Sequence, residues 1–274
     1  MIELLITQSP QTCYIMIAIL ALVIGSLLNV IIYRLPIMLE PTEQQHAKER
    51  SINLFFPGSF CPTCKKNICF QYNIPLFGYL FTGGHCSFCK HKISMRYPLV
   101  ELLTLLFSLA AAIHFGLTIY LLFSMIFISI IICLTFIDIS HQLLPDELTL
   151  GLLWMGLIAN TENLFTTLPD AVLSAAMAYV CLWLFAKIFY LITHKEGMGH
   201  GDFKLFAAFG AWFGGLMLPF ILFFASFIGA SIGIIYLKMT GKNKNTPIPF
   251  GPFLCASGVF VLFFKQSIVR FIHL

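Results

Sequence analysis

Long apolar runs, separated by short polar stretches, dominate the pattern of this chain. The first run covers residues 14–33 and contains one strongly polar residue, Asn29; after a polar stretch, apolar runs return from Leu99 almost to the C-terminus. Because a membrane-spanning helix needs about 20 mostly apolar residues, the pattern predicts an all-α polytopic membrane protein with about eight transmembrane helices. These lie near residues 14–33, 99–117, 119–137, 148–160, 171–193, 204–216, 217–237 and 249–264.

The composition agrees with a lipid environment. The chain is 59% hydrophobic and 10% charged, with a mean hydropathy of +0.90, whereas soluble domains are about 25% charged. Residues 1–12 contain Glu3 and no Lys or Arg, although a cleaved secretory signal would begin with a basic region. We therefore interpret the first apolar run as a retained span.

The basic residues predict the orientation of the spans. With the N-terminus outside, the inner loops are 34–98, 138–147, 194–203 and 238–248, and they hold twelve of the sixteen Lys and Arg residues. The outer loop 161–170 holds none. Since short inner loops of membrane proteins are enriched in Lys and Arg, the net charge of +4 indicates topology, and we expect no nucleic-acid partner.

A paired cysteine motif in loop 34–98 predicts a metal site. Cys61-Pro-Thr-Cys64 is followed, after 21 intervening residues, by Cys86-Ser-Phe-Cys89. Two such pairs at roughly this spacing are typical of a four-cysteine zinc site, and a reducing cytoplasm disfavours disulfides. Four thiolates leave no open position, so the zinc would be structural, in a cytoplasmic zinc-binding loop domain. Free or redox-active thiols are the alternative.

Two aspartates at the ends of apolar runs are the candidate catalytic residues. Asp138 ends one run, and Asp202 precedes another, directly after Gly199-His-Gly201. Ionisable groups beside spans mark functional sites, and two adjacent carboxylates, one protonated and one ionised, form the catalytic pair of an aspartyl protease. Each aspartate alone is equally compatible with a helix cap or an interfacial charge. Lys204 can pair with Asp202 or face lipid headgroups.

Further motifs occur in a fixed order along residues 25–260. They are Gly25-Ser-Leu-Leu-Asn29, Tyr33-Arg34-Leu-Pro36, the two cysteine pairs, Tyr72-Asn73-Ile74-Pro75, Arg96-Tyr97-Pro98 with Glu101, Phe136-Ile-Asp138, Leu144-Pro145-Asp146 and Gly199-x-Gly201-Asp202-x-Lys204. Together they resemble the type IV prepilin leader peptidases, which are also N-methyltransferases.

This resemblance implies a function and its site. Asp138 and Asp202 would be the catalytic pair that cleaves prepilins and pseudopilins after a glycine, at the bacterial inner membrane. The new N-terminal residue would then be methylated with S-adenosylmethionine; the sequence assigns no residues to binding of this donor. Residues 1–98 would form the first span and the methyltransferase-associated zinc loop, and residues 99–274 the membrane bundle with the protease site.

Two other functions fit parts of the pattern. One is a different intramembrane protease with a Gly-x-Gly-Asp motif, although the four-cysteine loop and the order of the spans argue against it. The other is a transporter in which paired acidic residues relay protons. Transporters often carry inverted repeats, and the sequence contains no visible repeat.

Overall fold

A computed structural model describes residues 10–39, 53–194, 198–240 and 249–272 of the protein. Most of these residues are helical. The α-helices are α1 (Pro10–Leu39), α2 (Phe77–Phe81), α3 (Arg96–Phe115), α4 (Ile119–His141), α5 (Asp146–Thr161), α6 (Leu168–Thr193), α7 (His200–Phe213), α8 (Leu218–Thr240) and α9 (Gly251–Ile272). Two 3-10 helices cover Phe70–Asn73 and Gly215–Met217. Within the described ranges, β-structure is limited to two isolated bridges, Phe60 with Asn67 and His85 with Lys92. The fold class is therefore the predicted one.

The number of spans needs correction. A helix occupies each of the eight predicted positions, but in the described part of the chain six helices are long and apolar enough to cross a membrane. The two others are α5, with 16 residues, and α7, with 14. At 1.5 Å per residue they are about 24 and 21 Å long, shorter than a hydrocarbon core of about 30 Å. The spans predicted at 148–160 and 204–216 are thus short helices.

The turn after α7 explains why that helix is short. Gly214, the residue that follows it, has a φ of +79°, a conformation that favours glycine. A Cβ on Gly214 would also collide with the Asp170 carboxylate. The apolar run continues through this turn into α8, and hydropathy alone therefore could not separate the two helices.

The chain divides into two compact units, residues 1–133 and 134–274. In the first unit, α1 packs along α3. A Cβ on Gly25 would lie 2.9 Å from the Cα atom of Glu101, so glycine is what permits the close approach of the two backbones. The Asn29 side chain donates a hydrogen bond to the Tyr97 carbonyl, with a distance of 3.0 Å. The first motif of the sequence therefore serves helix packing.

Helix α7 is the buried centre of the second unit. It packs against α5, α6 and α9, and Leu205, Phe209 and Trp212 are fully buried. The Trp212 indole donates a hydrogen bond of 2.8 Å to the Leu152 carbonyl, while Gly156 leaves space for the ring. Since α7 begins two residues before Asp202, this carboxylate stands on a helix that its neighbours hold firmly.

Candidate functional site

The four predicted metal ligands meet in the first unit. The sulfur atoms of Cys61, Cys64, Cys86 and Cys89 all lie within 4.8 Å of one another. The Cys61–Cys89 and Cys64–Cys86 sulfur distances are 3.9 and 4.0 Å. Thiolates about 2.3 Å from a tetrahedral ion are separated by about 3.8 Å. The cluster therefore has the dimensions of a four-thiolate metal site and can hold a metal ion.

Two matching turns build this cluster. In the first, the Lys65 amide donates to the Cys61 carbonyl, and the Cys61 amide to the Lys66 carbonyl. In the second, Lys90 and His91 have the same roles toward Cys86. Lys65 and Lys90, each directly after a cysteine pair, both have a φ of +57°. The Cys-x-x-Cys spacing thus forms the same local structure twice.

The backbone of these turns stabilises thiolate sulfur. The amide groups of Cys89 and Phe88 donate to the sulfur of Cys86 and lower the pKa of this thiol to about 6. A metal ligand must be deprotonated, and the lowered pKa means that Cys86 is mostly a thiolate at neutral pH. Donor chemistry and sulfur distances both suit a thiolate-binding metal ion.

The two candidate catalytic aspartates lie in the second unit, 64 residues apart in the sequence. Asp202 is 8% exposed, in the first turn of α7, and its Oδ2 atom accepts a hydrogen bond of 3.2 Å from the Gly199 amide. Burial, followed by the charge of Asp138, raises the pKa of Asp202 to about 7, although the Gly199 amide opposes this shift. The two carboxylates are therefore electrostatically coupled.

Asp138 lies near the end of α4 and is 5% exposed. Its carboxylate accepts a hydrogen bond from the amide of Gly251, the first residue of α9. A Cβ on Gly251 would lie 2.5 Å from Asp138 Oδ2. Each aspartate thus faces an amide at the start of a helix, where free N–H groups favour negative charge. No pattern in the sequence indicated that Gly251 contributes to the site.

Leu144 packs against two glycines, Gly201 beside Asp202 and Gly251 beside Asp138. A Cβ on Gly201, the residue before Asp202, would lie 2.7 Å from the Leu144 Cβ. A Cβ on Gly251 would lie 3.2 Å from the Leu144 Cδ2. By contrast, the nearest atom to a Cβ on Gly199 would be 3.7 Å away. The two glycines before Asp202 therefore differ: Gly201 is required by close packing, and Gly199 is not.

Lys204 pairs with Asp146. Its Nζ atom lies 2.6 Å from both carboxylate oxygens of Asp146 at the start of α5. The sequence left open a pair between Lys204 and Asp202, and the structure shows Asp146 as the partner instead; the alternative contact with lipid headgroups stays a prediction. Among the described residues, Asp202 has no salt-bridge partner, so its ionisation depends on burial, the Gly199 amide and Asp138.

A polar cluster that the sequence did not predict holds the other end of α7. The Asn160 side chain donates to the Ala211 carbonyl at 2.7 Å and accepts from the Phe165 amide at 2.9 Å. Lys265 on α9 donates to the carbonyls of Phe165 and Phe213. Lys265 was one of the basic residues outside the predicted inner loops. Its position next to an apolar run was the sequence feature that could have indicated a buried polar contact.

Two family models match the chain. One, described as the bacterial peptidase A24 N-terminal domain, covers residues 19–115. The other, described as the type IV leader peptidase family, covers residues 125–234. The first match contains the four cysteines, and the second contains both aspartates.

Several curated proteins similar to this chain are named prepilin leader peptidase/N-methyltransferase. The protein from Legionella pneumophila is 54% identical over 280 aligned residues, which cover 98% of each chain. The protein from Pseudomonas aeruginosa is 44% identical, over 92% of this chain and 90% of its own length. The protein from Aeromonas hydrophila is 43% identical, over 95% and 94%. No solved structure gave a significant match.

Proposed function

Because this chain belongs to the type IV leader peptidase family, we propose that it cleaves the leader from type IV prepilins and related pseudopilins and then methylates the new N-terminal amine. Near full-length similarity to proteins named for both activities supports a bifunctional enzyme. The same similarity argues against a transporter and against an unrelated intramembrane protease.

The coupled, buried pair Asp138 and Asp202 is the observation that carries the peptidase proposal. Two carboxylates in one buried site do not both ionise readily. In the proposed reaction, ionised Asp138 removes a proton from water, which attacks the scissile carbonyl carbon. Protonated Asp202 donates its proton to the carbonyl oxygen. The C–N bond then breaks as the leaving amine accepts a proton, a division of roles that aspartyl proteases share.

We assign the four-cysteine cluster to structural zinc. When bound, zinc would be held by Cys61, Cys64, Cys86 and Cys89 and would link the two turns of the loop. Four thiolates complete a tetrahedral coordination shell and leave no position for substrate. The metal therefore contributes to the folding of residues 53–95 and takes no part in peptide cleavage.

Methyl transfer belongs, in this proposal, to the part of the chain that contains the zinc loop, residues 1–98. The donor, S-adenosylmethionine, supplies a methyl group on a positively charged sulfur, and the free amine produced by cleavage accepts it. Separate family models for the two halves support this division. Residues 99–274 hold the protease site.

We propose the bacterial inner membrane as the location, with the zinc loop and both aspartates on the cytoplasmic side. The six spanning helices in the described residues support a multi-pass membrane protein. The orientation follows from the Lys and Arg residues of loops 34–98, 138–147, 194–203 and 238–248. Several of these, including Lys48, Lys195 and Lys242, lie outside the described residues.

Purified protein in detergent, mixed with a prepilin, tests the peptidase proposal. We expect wild-type protein to release the leader, and Asp138→Ala and Asp202→Ala to release none. Glu162→Gln, which changes an exposed carboxylate in the turn after α5, is the matched control and should cleave like the wild type. Cleavage at full rate by either Ala variant would refute the proposed pair.

A second measurement tests methyl transfer. With S-adenosylmethionine present, the mass of the mature pilin should rise by one methyl group, on its N-terminal residue. Both Ala variants should still methylate a pilin that was cleaved beforehand. An unchanged mass with active wild-type peptidase would leave the protein as a peptidase alone.

A further inference from the structure

Two segments of the zinc loop expose large apolar side chains. In the turn formed by residues 53–58, Phe55 and Phe56 are 83% and 71% exposed. In α2, Phe77, Leu80 and Phe81 are 53%, 70% and 72% exposed. Positions i, i+3 and i+4 share one helix face, and the Phe77 and Phe81 rings stack with centroids 6.2 Å apart. We call these five residues the aromatic surface.

Each segment is held to a spanning helix by a buried charged residue. Arg34 of α1, 4% exposed, donates to the carbonyls of Asn53 at 2.8 Å and Pro57 at 2.6 Å. Glu101 of α3, 8% exposed, accepts a hydrogen bond of 2.7 Å from the Leu76 amide, directly before α2. Buried charges need such partners, so the two contacts fix the segments to these helices.

These contacts also fix the depth of the segments. Glu101 lies five residues after the first residue of α3. The Leu76 amide that it binds is therefore about 7 Å along the helix from the start of this span. Arg34 similarly lies five residues before the end of α1. The Tyr79 hydroxyl in α2 contacts the Met95 sulfur, next to the start of α3, at 2.9 Å. Both exposed segments are therefore level with the ends of membrane spans.

The charge of the loop fits an anionic surface. Residues 53–95 contain no Asp or Glu and four lysines, Lys65, Lys66, Lys90 and Lys92, all of them exposed. Aromatic side chains accumulate at the interface between lipid and water, and nearby lysines attract anionic headgroups. Leu102 and Leu106 on α3, which is long and apolar enough to span a membrane, are 41% and 53% exposed, so this helix also presents apolar side chains outward.

We propose that the aromatic surface binds the headgroup region of the membrane in which the protein is embedded, with anionic lipids near the four lysines. The zinc loop then lies against the bilayer at the level where α1 ends and α3 begins. This inference concerns lipid and does not depend on the proposed peptidase or methyltransferase activity.

Lipid-soluble photolabelling of the wild-type, metal-loaded protein tests this proposal. The full chain is reconstituted into vesicles of phosphatidylethanolamine and phosphatidylglycerol with a hydrocarbon-soluble diazirine, and labelled residues are located by mass spectrometry. We expect Phe77, Leu80 and Phe81 to be labelled at a level comparable to Leu106. Thr63 and Ser87, uncharged and exposed in the two cysteine turns, are the reference for residues outside the hydrocarbon and should be labelled several-fold less.

Several results would overturn the proposal. Labelling of α2 at the level of Thr63 and Ser87 would mean that its exposed face contacts water. Protection of α2 from both lipid and water probes, increasing with protein density in the vesicles, would mean that a second copy covers it. Protection that requires an added prepilin would assign the surface to the substrate.

A pair of variants sharpens the same experiment. Phe81→Asp adds a charge at the interface, so labelling of Phe77 and Leu80 should fall several-fold while that of Leu106 stays unchanged. Phe81→Leu keeps an apolar side chain and should retain wild-type labelling. Equal labelling of Phe77 and Leu80 in both variants would contradict a lipid contact on this face.

Discussion

The two units of the molecule gather acidic groups in different ways. In the first unit, four cysteine sulfurs stand within 4.8 Å of one another and can be joined by a metal ion. In the second unit, the buried carboxylates of Asp138 and Asp202 are electrostatically coupled. The neighbouring cation, Lys204, pairs with Asp146. A metal ion at the centre would make the first cluster a fixed structural link. In the proposed mechanism, the second pair has no such ion and retains a proton that it can exchange.

If both proposed roles are right, the position of the compensating positive charge distinguishes the structural site from the reactive one. Metal binding stabilises ligands in their deprotonated form. Two carboxylates in one buried site do not both ionise readily, and burial together with the charge of Asp138 raises the pKa of Asp202 to about 7. Substitution of the carboxylates or the sulfurs tests this difference directly. Smaller changes in the residues around them test which contacts it depends on.

Asp202→Asn should have the largest effect on the second unit. Asparagine matches aspartate in size, but it cannot donate the proton that the proposed reaction needs. We expect prepilin cleavage to fall by roughly 10³-fold or more, since acid–base groups contribute about 10² to 10⁴ each and the two aspartates act together. Single-turnover cleavage assays measure the loss. Methylation of a pilin cleaved beforehand should continue. Loss of methylation would contradict the assignment of the two activities to different parts of the chain.

Cys64→Ser should have the converse effect. Removal of one thiolate weakens the proposed zinc site, whose metal contributes folding free energy directly. We expect less than one zinc per chain by elemental analysis and methyl transfer at least about tenfold lower, because folding of the loop depends on the metal. Cleavage should change much less. Cys69→Ser, at an exposed cysteine outside the cluster, is the matched control, and equal zinc loss in both variants would refute the four-ligand assignment.

Gly201→Ala should impair cleavage more than Gly199→Ala. The new Cβ at residue 201 would lie 2.7 Å from the Leu144 Cβ, whereas at residue 199 the nearest atom is 3.7 Å away. A shift of about 1 Å in a catalytic group costs roughly a hundredfold in rate, so we expect a ten- to hundredfold loss for Gly201→Ala. Thermal unfolding checks that the variants are folded. A greater loss in Gly199→Ala would contradict the packing role of Leu144.

Much of this arrangement was predictable from the sequence, because its signals are local. Apolar run length predicted the helices, and the Cys-x-x-Cys spacing predicted the sulfur cluster that the structure contains. The positions of Asp138 and Asp202 at the ends of apolar runs marked them as candidate catalytic residues. All of these patterns can be recognised within short segments of the chain.

The remaining features depend on tertiary contacts that short segments do not encode. Hydropathy merged α7 with α8, because the turn at Gly214 lies inside a continuous apolar run. The partner of Lys204 lies 58 residues away, on α5. Gly251 borders Asp138 only because α9 returns to the end of α4. Sequence patterns therefore predicted the candidate site residues but not the groups that surround them.

The pH dependence of cleavage should reveal the shared proton. Burial and the charge of Asp138 raise the pKa of Asp202 to about 7, so Asp202 is protonated below this pH and ionised above it. If protonated Asp202 is the acid, kcat/KM should fall about tenfold per pH unit above roughly 7. Initial rates of cleavage over a range of prepilin concentrations, from below KM to saturation, give kcat/KM at each pH between 5.5 and 9. Buffers of constant ionic strength are used throughout, and the decline above pH 7 is the quantity of interest. Constant kcat/KM up to pH 9 would exclude Asp202 as the proton donor.

Disruption of the Lys204–Asp146 pair should have the smallest effect. Asp146 is 56% exposed on its side chain, and exposed ion pairs contribute about 0–1 kcal/mol. We expect Asp146→Asn to lower kcat/KM by at most about fivefold, the equivalent of 1 kcal/mol. In this variant the positive charge of Lys204, two residues from Asp202, is no longer neutralised by Asp146, which would favour the ionised form of Asp202. The decline of kcat/KM should then begin at lower pH than in the wild type, whereas Lys204→Met, which removes the cation, should keep the wild-type profile. Identical pH profiles in all three proteins would show that the pairing of Lys204 has no influence on the proton of Asp202.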